Sequence, residues 1–408
     1  MYFAQIHPIA TGYTPGVERD SLYKDVWRRF WPEFQDVYVS RFQSTYGPLT
    51  RRKTQEVERL LACGRFSNGF VRHECTGCGN VLVVPFSCKS RLCLSCYRKK
   101  LFSWSLNLSK MLEPSFGHSH ITFTMPGRLG NLLLKRHFDA SSLAKIAARV
   151  YGRFLQADQN FSREWMPGIL ATVHKCGNSL NPNPHVHMIA SRELLNRKTG
   201  ELKSFAFLNY PVIRKLWMVA LCRHLVRKGA LTAQESRSLR HRFQRGFNVH
   251  FQTLKRGDGD MVFRTAEYLA DGFFHNSQIT SVDYEKRRIT FIHKSRVDRR
   301  GKKLFATVAM DVFEFMARML YYLPDRHEKT VRYYGIYAQS KRRGMQISTG
   351  ATWSTAIRTC FHKDPELCPD CGAVMAARVV FAFSADVMIR RLQASHALVQ
   401  GYFRRRPP

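Results

Sequence analysis

Two cysteine pairs, Cys75-x-x-Cys78 and Cys93-x-x-Cys96, stand a short loop apart and constrain this chain more than any other feature. A CxxC pair places two soft donors on one tight turn, and two such pairs supply the four thiolates of a tetrahedral zinc site. Too few apolar residues lie between the pairs to fold that loop unaided, so bound zinc is expected to fold it. The spacing predicts one structural zinc held by Cys75, Cys78, Cys93 and Cys96, with Gly79 suited to the first turn. Four thiolates leave no open position, which excludes a substrate from the metal. Cys63, His73 and Cys88 lie nearby as spare donors, either for a second metal or as buried side chains. Arg72, Lys89, Arg91, Arg98, Lys99 and Lys100 surround the pairs, as in a zinc-stapled knob that touches nucleic acid. A later set, Cys360-x-His362 followed by Cys368-x-x-Cys371, has one CxxC pair and stands evenly between a further zinc site and a metal-free knuckle.

Eleven cysteines in a chain of 408 residues, clustered rather than spread, do not read as a disulfide scaffold. They read as thiolate metal sites in a reducing cytoplasm, and Met1–Gly12 lacks the basic start and apolar core of a signal peptide. The longest apolar runs, Leu216–Cys222 and Val81–Phe86, fall far short of the roughly 20 residues that span a bilayer. With 44% hydrophobic and 12% aromatic residues the chain can bury a core, which excludes global disorder. The 65 Lys+Arg against 30 Asp+Glu leave a net charge of +35, which calls for a polyanion partner, most commonly nucleic acid.

Hydrophobic periodicity predicts helices over 21–42 (kinked or split at Pro32), 50–63, 97–112, 129–155 (broken near Asp139), 211–228, 233–243, 261–273, 311–320 and 385–396. Alternation predicts strands over 118–125, 169–175, 185–190, 249–254 and 288–293. Interleaved this way, they imply an α+β fold with an antiparallel or mixed sheet. Three consecutive segments follow: a helical zinc-binding region over 1–112, a sheet domain over 113–300, and a helical region over 301–408 with the last CxxC pair and the basic tail Arg404–Pro408.

Within the sheet domain, His185-Val186-His187 puts two imidazoles on one strand face, because alternate side chains point the same way. The turn-rich segment Gly177–Pro184 should fold the preceding strand back against it. Strand parity sets Leu170, Thr172 and His174 on one face, so His174 is the candidate third donor for a divalent ion. His118 and His120 share a face of another strand and compete for that role. Periodicity alone reads Tyr268 as core packing on its helix.

At these residues the chain resembles the HUH single-strand endonucleases, and more closely the rolling-circle transposases of the insertion-sequence ninety-one type. Six stretches match in order: HECTGCG…SCKSRLCLSC, HITFTMP, VHKCGNSLNPNPHVHMIA, EYLADG, VRYYGIYA and DPELCPDCGAVM, spanning roughly residues 50 to 395. The resemblance implies an HUH-type antiparallel sheet with packed helices after a small helical zinc-binding domain. It implies magnesium or manganese held by His185, His187 and His174, and Tyr268 as the nucleophile that forms a phosphotyrosine link to DNA. The implied partners are single-stranded or hairpin DNA at element ends and target DNA, and the chain could act as a homodimer. Many members carry a second tyrosine one helical turn on; here that position is Gly272, which favours a single-tyrosine cycle over a relay by Tyr284. Phe123, Tyr333 and Tyr334 are candidates to stack on bases or to pack, and lysines and arginines to track phosphates. Two other readings compete: a plasmid replication initiator or relaxase with the same chemistry, and a non-catalytic zinc DNA-binding regulator. The second would leave the histidines and Tyr268 without a shared purpose.

Overall fold

The computed structural model describes residues 21–65, 68–112, 116–205, 209–254, 274–297, 302–324, 328–338, 354–355, 358 and 364–380. Tyr268, Gly272, Cys360, His362, the helices expected over 261–273 and 385–396 and the tail Arg404–Pro408 lie outside the described residues.

The chain divides into two compact units. The first gathers residues 1–24, 55–99 and 352–408, and the second comprises 25–54 and 100–351. The C-terminal knuckle therefore does not stand in a third segment of its own. It belongs to the first unit, beside residues nearly three hundred positions earlier.

Helix α1 (Leu22–Arg41), beyond its first residues, and α2 (Gln43–Tyr46) belong to the second unit; in the first, the amphipathic α3 (Arg51–Leu61) leads to a hairpin of β1 (Phe70–Cys75) and β2 (Val81–Pro85). Helix α4 (Leu94–Met111) follows. The unit combines helices with strands. The hairpin is completed by a strand near the end of the chain, β12 (Met375–Val380), in the order β12-β1-β2. Its antiparallel register sets Cys75 opposite Met375 and Phe70 opposite Val380. Short runs such as FVRHEC and VLVVP carry no long alternation, so they escaped sequence periodicity.

The second unit is built on a six-stranded antiparallel sheet, with β11-β4-β5-β3-β7 as its path and β6 paired to β5. Its strands are β3 (His118–Phe123), β4 (Trp165–Cys176), β5 (Pro182–Asn196), β6 (Leu202–Ser204), β7 (Val249–Leu254) and β11 (Val331–Gly335). The helical stretch expected over 129–155 with a break near Asp139 is two helices, α5 (Gly127–Lys135) and α6 (Leu143–Ala157). The break falls at Asp139, whose carboxylate accepts from Ser141 N at 2.8 Å and starts a short 3₁₀ turn. Helices α7 (Tyr210–Arg227) and α8 (Ala233–Arg242) follow, the latter opened by a capping box between Thr232 and Glu235. A second sheet, β8 (Ile279–Asp283), β9 (Arg288–Val297) and β10 (Lys303–Asp311), precedes α9 (Val312–Tyr322).

Pro32 does not split α1, which runs unbroken through it. Aromatic packing holds that stretch: Phe30 and Phe34 set their rings against Phe313 at 6.1 and 5.9 Å.

Alternation decides which face of the large sheet does what. Ile121, Phe123, Ala171, Val186, Met188, Val249 and Phe251 join one core with Ile146, Val150, Tyr151 and Phe154 of α6 and Trp217 and Leu221 of α7. The intervening residues, His120, Thr122, Thr172, His174, His185 and His187, project from the other face. Helices cover one side, and the histidines occupy the opposite one.

Candidate metal centres and candidate active site

The eight clustered cysteines form two groups of four, but not along the expected lines. Cys75 and Cys78 meet Cys368 and Cys371, while Cys93 and Cys96 meet Cys63 and Cys88. The pairing of Cys75 and Cys78 with Cys93 and Cys96 is thus corrected. Proximity in sequence misled because the β1–β2 hairpin carries its knuckle toward β12, whereas Cys93 and Cys96 open α4 beside the end of α3.

In the first group both knuckles are built alike. Cys75 Sγ accepts from the amides of Gly77 and Cys78 at 3.3 and 3.4 Å, and Cys368 O accepts from Gly372 N at 3.0 Å. The glycine after each pair sits in the left-handed region, Gly79 at φ 70° and Gly372 at φ 74°. Sulfur separations are 3.3 Å for Cys75–Cys371 and 3.7 Å for Cys78–Cys368. Four sulfurs about 2.3 Å from a tetrahedral zinc lie about 3.8 Å apart, so the group fits that ion. Amide donors to Cys75 pull its thiol down to about 6, which favours the thiolate a metal requires.

The second group is buried: Cys63, Cys93 and Cys96 are each at most 5% exposed. Cys63 Sγ lies 3.6 Å from Cys96 Sγ and 3.7 Å from Cys93 Sγ. Hydrogen bonds from Cys63, Cys88 and Cys93 hold Cys96 well below the usual thiol range. Glu56 of α3, buried, accepts from Arg91 N at 2.7 Å and Ser90 Oγ at 2.9 Å, which fastens the loop carrying Cys88 to the helix leading to Cys63. Sequence reasoning missed Glu56; its signal is a carboxylate on the apolar stripe of α3. His73 joins neither group; it is buried on β1. Lys89, Arg98 and Lys100 are exposed, Arg91 and Lys99 half-buried, and Lys89 adopts a left-handed φ of 56°. Both four-cysteine sets fit structural zinc.

His174, His185 and His187 come together, each offering a ring nitrogen within 4.8 Å of the others. The β4–β5 hairpin does this directly: its register sets His174 opposite His185 and Thr172 opposite His187. Ring centroids lie 4.5 Å apart for His174–His187, 4.7 Å for His185–His187 and 5.3 Å for His174–His185. The turn is held from behind, because Leu180 O accepts from Arg318 Nη1 and Tyr322 Oη, each at 3.1 Å. His185 Nδ1 sits 2.7 Å from Asn183 O, which can only accept, so Nδ1 carries the proton and Nε2 is the free donor. His187 Nδ1 faces His120 Nε2 at 3.0 Å and Thr122 Oγ1 at 3.2 Å. Burial pushes His185 and His187 below the usual imidazole range, and neighbouring histidines add to the effect at His187. Three imidazoles, two of them kept neutral and one fixed in tautomer, fit a divalent ion; neighbours engage the far nitrogen of the ligating ring as outer partners do in metal sites.

The competing histidines take other parts. His120 backs His187, and His118 Nε2 pairs with Tyr337 Oη at 2.8 Å. Tyr333 and Tyr334 lie on β11 opposite Leu170 and Ile169, so Tyr333 falls on the histidine side and Tyr334 packs on the helix-side core. Phe123 is fully buried in that core against Trp217, which withdraws it as a base-stacking candidate. Tyr284 stacks on Phe30 at 6.2 Å with the Arg29 guanidinium 4.9 Å over its ring.

Comparison with known proteins agrees with this division of labour. Residues 28–125 match the family described as "Transposase zinc-binding domain", and residues 168–344 match the family described as "Putative transposase". The chain is 21% identical over 359 residues to the transposase for insertion sequence element IS801 from Pseudomonas savastanoi pv. phaseolicola, covering 81% of this chain and 84% of that one. No solved structure matches. Among the described residues no helix is long and apolar enough to cross a membrane. With a cysteine-rich region that matches a transposase zinc-binding family, followed by a histidine-bearing sheet that matches a transposase family, the chain matches the transposases of the insertion-sequence ninety-one type.

Proposed function

We propose that this chain nicks and rejoins single-stranded DNA at element ends, through a covalent tyrosine link, in rolling-circle-type transposition in the cytoplasm. The observation that carries the reading is the meeting of His174, His185 and His187 on the face of the sheet opposite α6 and α7. Magnesium or manganese bound there would grip the non-bridging oxygens of one scissile phosphate and offset charge in the transition state. Imidazole donors suit manganese better than magnesium. His185 and His187 orient the site, held by Asn183 O and by His120 with Thr122. Tyr268 is the assigned nucleophile: its phenolate oxygen bonds to phosphorus, the bond to the 3′-oxygen breaks, and a 5′-phosphotyrosine and a free 3′-hydroxyl result. Rejoining reverses these bonds on a new 3′-hydroxyl and needs no nucleotide cofactor. Single-stranded or hairpin ends suit such a site because their backbone bends into it without melting a duplex.

The test is trapping the covalent adduct on labelled single-stranded ends with manganese. Wild type should form it and Tyr268→Phe should not. An adduct of equal yield in Tyr268→Phe, or none in wild type, overturns the assignment.

A further inference from the structure

We infer that the outer face of the α6–α7 helix pair is a second DNA-binding surface, a groove that holds the phosphate backbone of duplex DNA on the side of the sheet away from the histidines. The inference rests on the reading of the chain as an enzyme that acts on DNA. Four arginines, Arg149 and Arg153 from α6 and Arg223 and Arg227 from α7, line one open groove floored by Ile146, Val150 and Ala220. All four are exposed. Neither helix contains an aspartate or a glutamate. On each helix the arginines stand four residues apart, a rise of about 6 Å that sets like charges on one stripe. Such a stripe repels itself unless an anion covers it. The ion pairs among the described residues involve none of these arginines. The helix dipole accounts for Arg227 in the last turn of α7, but α6 has no basic residue in its last turn and carries its arginines earlier.

A second observation marks the groove as built. His224, only 8% exposed, lines it, and its Nδ1 lies 2.8 Å from Arg227 Nη2. A guanidinium only donates, so Nδ1 accepts; Nε2 then carries the proton and donates to Ser142 Oγ at 3.0 Å. The neutral ring anchors Arg227 without neutralising it. The lining offers no aromatic ring apart from this engaged imidazole. Unpaired bases would have nothing to stack on, so the groove fits the outer backbone of a duplex rather than a single strand. The arrangement implies that the chain grips double-stranded DNA flanking the end it cuts.

The experiment measures binding by the full chain to a short labelled duplex, and to a single strand of the same length, across a salt series. The variant Arg149→Gln/Arg153→Gln/Arg223→Gln/Arg227→Gln is compared with Lys135→Gln/Lys198→Gln/Lys203→Gln/Lys286→Gln, which removes as many charges from exposed sites elsewhere. Each lost phosphate contact flattens the salt slope by about 0.9, so the groove variant should lose up to about 3.6 in slope and at least about tenfold in duplex affinity. The control should change less than about twofold. Equal losses in both variants overturn the inference, as does a loss confined to the single strand. Replacing the same four arginines by lysine should restore most of the slope, and a lysine variant as weak as the glutamine one also overturns it. Absence of DNA binding by wild type would instead overturn the functional reading itself.

Discussion

The thiolate groups and the histidine group solve the same problem, gathering metal donors, at opposite ranges of chain separation. His174, His185 and His187 come from one hairpin, whose register alone makes them neighbours. Cys75 and Cys78 find their partners in Cys368 and Cys371, across almost the whole chain. The local group sits on a rigid sheet that would keep its shape without an ion, supported by Asn183 O, His120 and Thr122. The distant one joins short turns with little core of their own: Cys75, Cys368 and Met375, with Leu82 and Ala373 against them. Metal is therefore expected to be structural glue in one place and a guest in the other.

Three results would break or sharpen that contrast. The largest effect is expected from stripping zinc, since a structural thiolate site contributes about 10–16 kcal/mol of folding free energy. Chelation should unfold the first unit, and metal analysis should find two zinc ions per chain. Cys75→Ser and Cys368→Ser should each remove one, and together still only one, whereas Cys75→Ser with Cys93→Ser should remove both. Two ions lost from the Cys75/Cys368 pair would restore the pairing expected from spacing.

Next comes His187→Ala, expected to lower nicking by about 10³-fold, equivalent to about 4 kcal/mol of activation free energy. Zinc content and thermal unfolding of this variant should stay near wild type. A collapse of the fold would show that the histidine group is also structural.

The smallest effect is a pH dependence of the ion-free protein. Burial pushes His120 down to about 4, so the folded state holds it neutral while the unfolded chain takes up a proton below about 6.5. Stability should then fall as pH drops from about 6.5 to about 4 and level off below, by about 3 kcal/mol in all. His120→Gln should flatten this part of the profile in urea titrations. An unchanged slope would remove His120 from the account.

How far the sequence could be read follows the same division. Strand parity put His174, His185 and His187 on one face and marked the turn between their strands, because period two and turn chemistry are local. It also placed the helix break at Asp139. The cysteine grouping failed because three CxxC pairs and the single Cys63 and Cys88 can combine in several ways, and the choice is made by hydrogen bonds between β1 and β12. Glu56 is not legible in the sequence, and His120 reads there as a rival ligand rather than a support for His187, for a related reason: burial of a polar group can be recognised only once its partner across the fold is known. Pro32 misled in the other direction, since aromatic contacts with Phe313 outweigh a local breaker.

The split of the first unit between the two ends of the chain has a consequence during synthesis. A ribosome releases Cys75 and Cys78 long before Cys368 and Cys371, so the four-thiolate group cannot close on a nascent or truncated chain. The intervening second unit, made whole from 25–54 and 100–351, is free to fold first. Closure of that cluster then reports that translation has passed residue 371, and a prematurely terminated protein would carry the histidine hairpin without a finished zinc-bound unit.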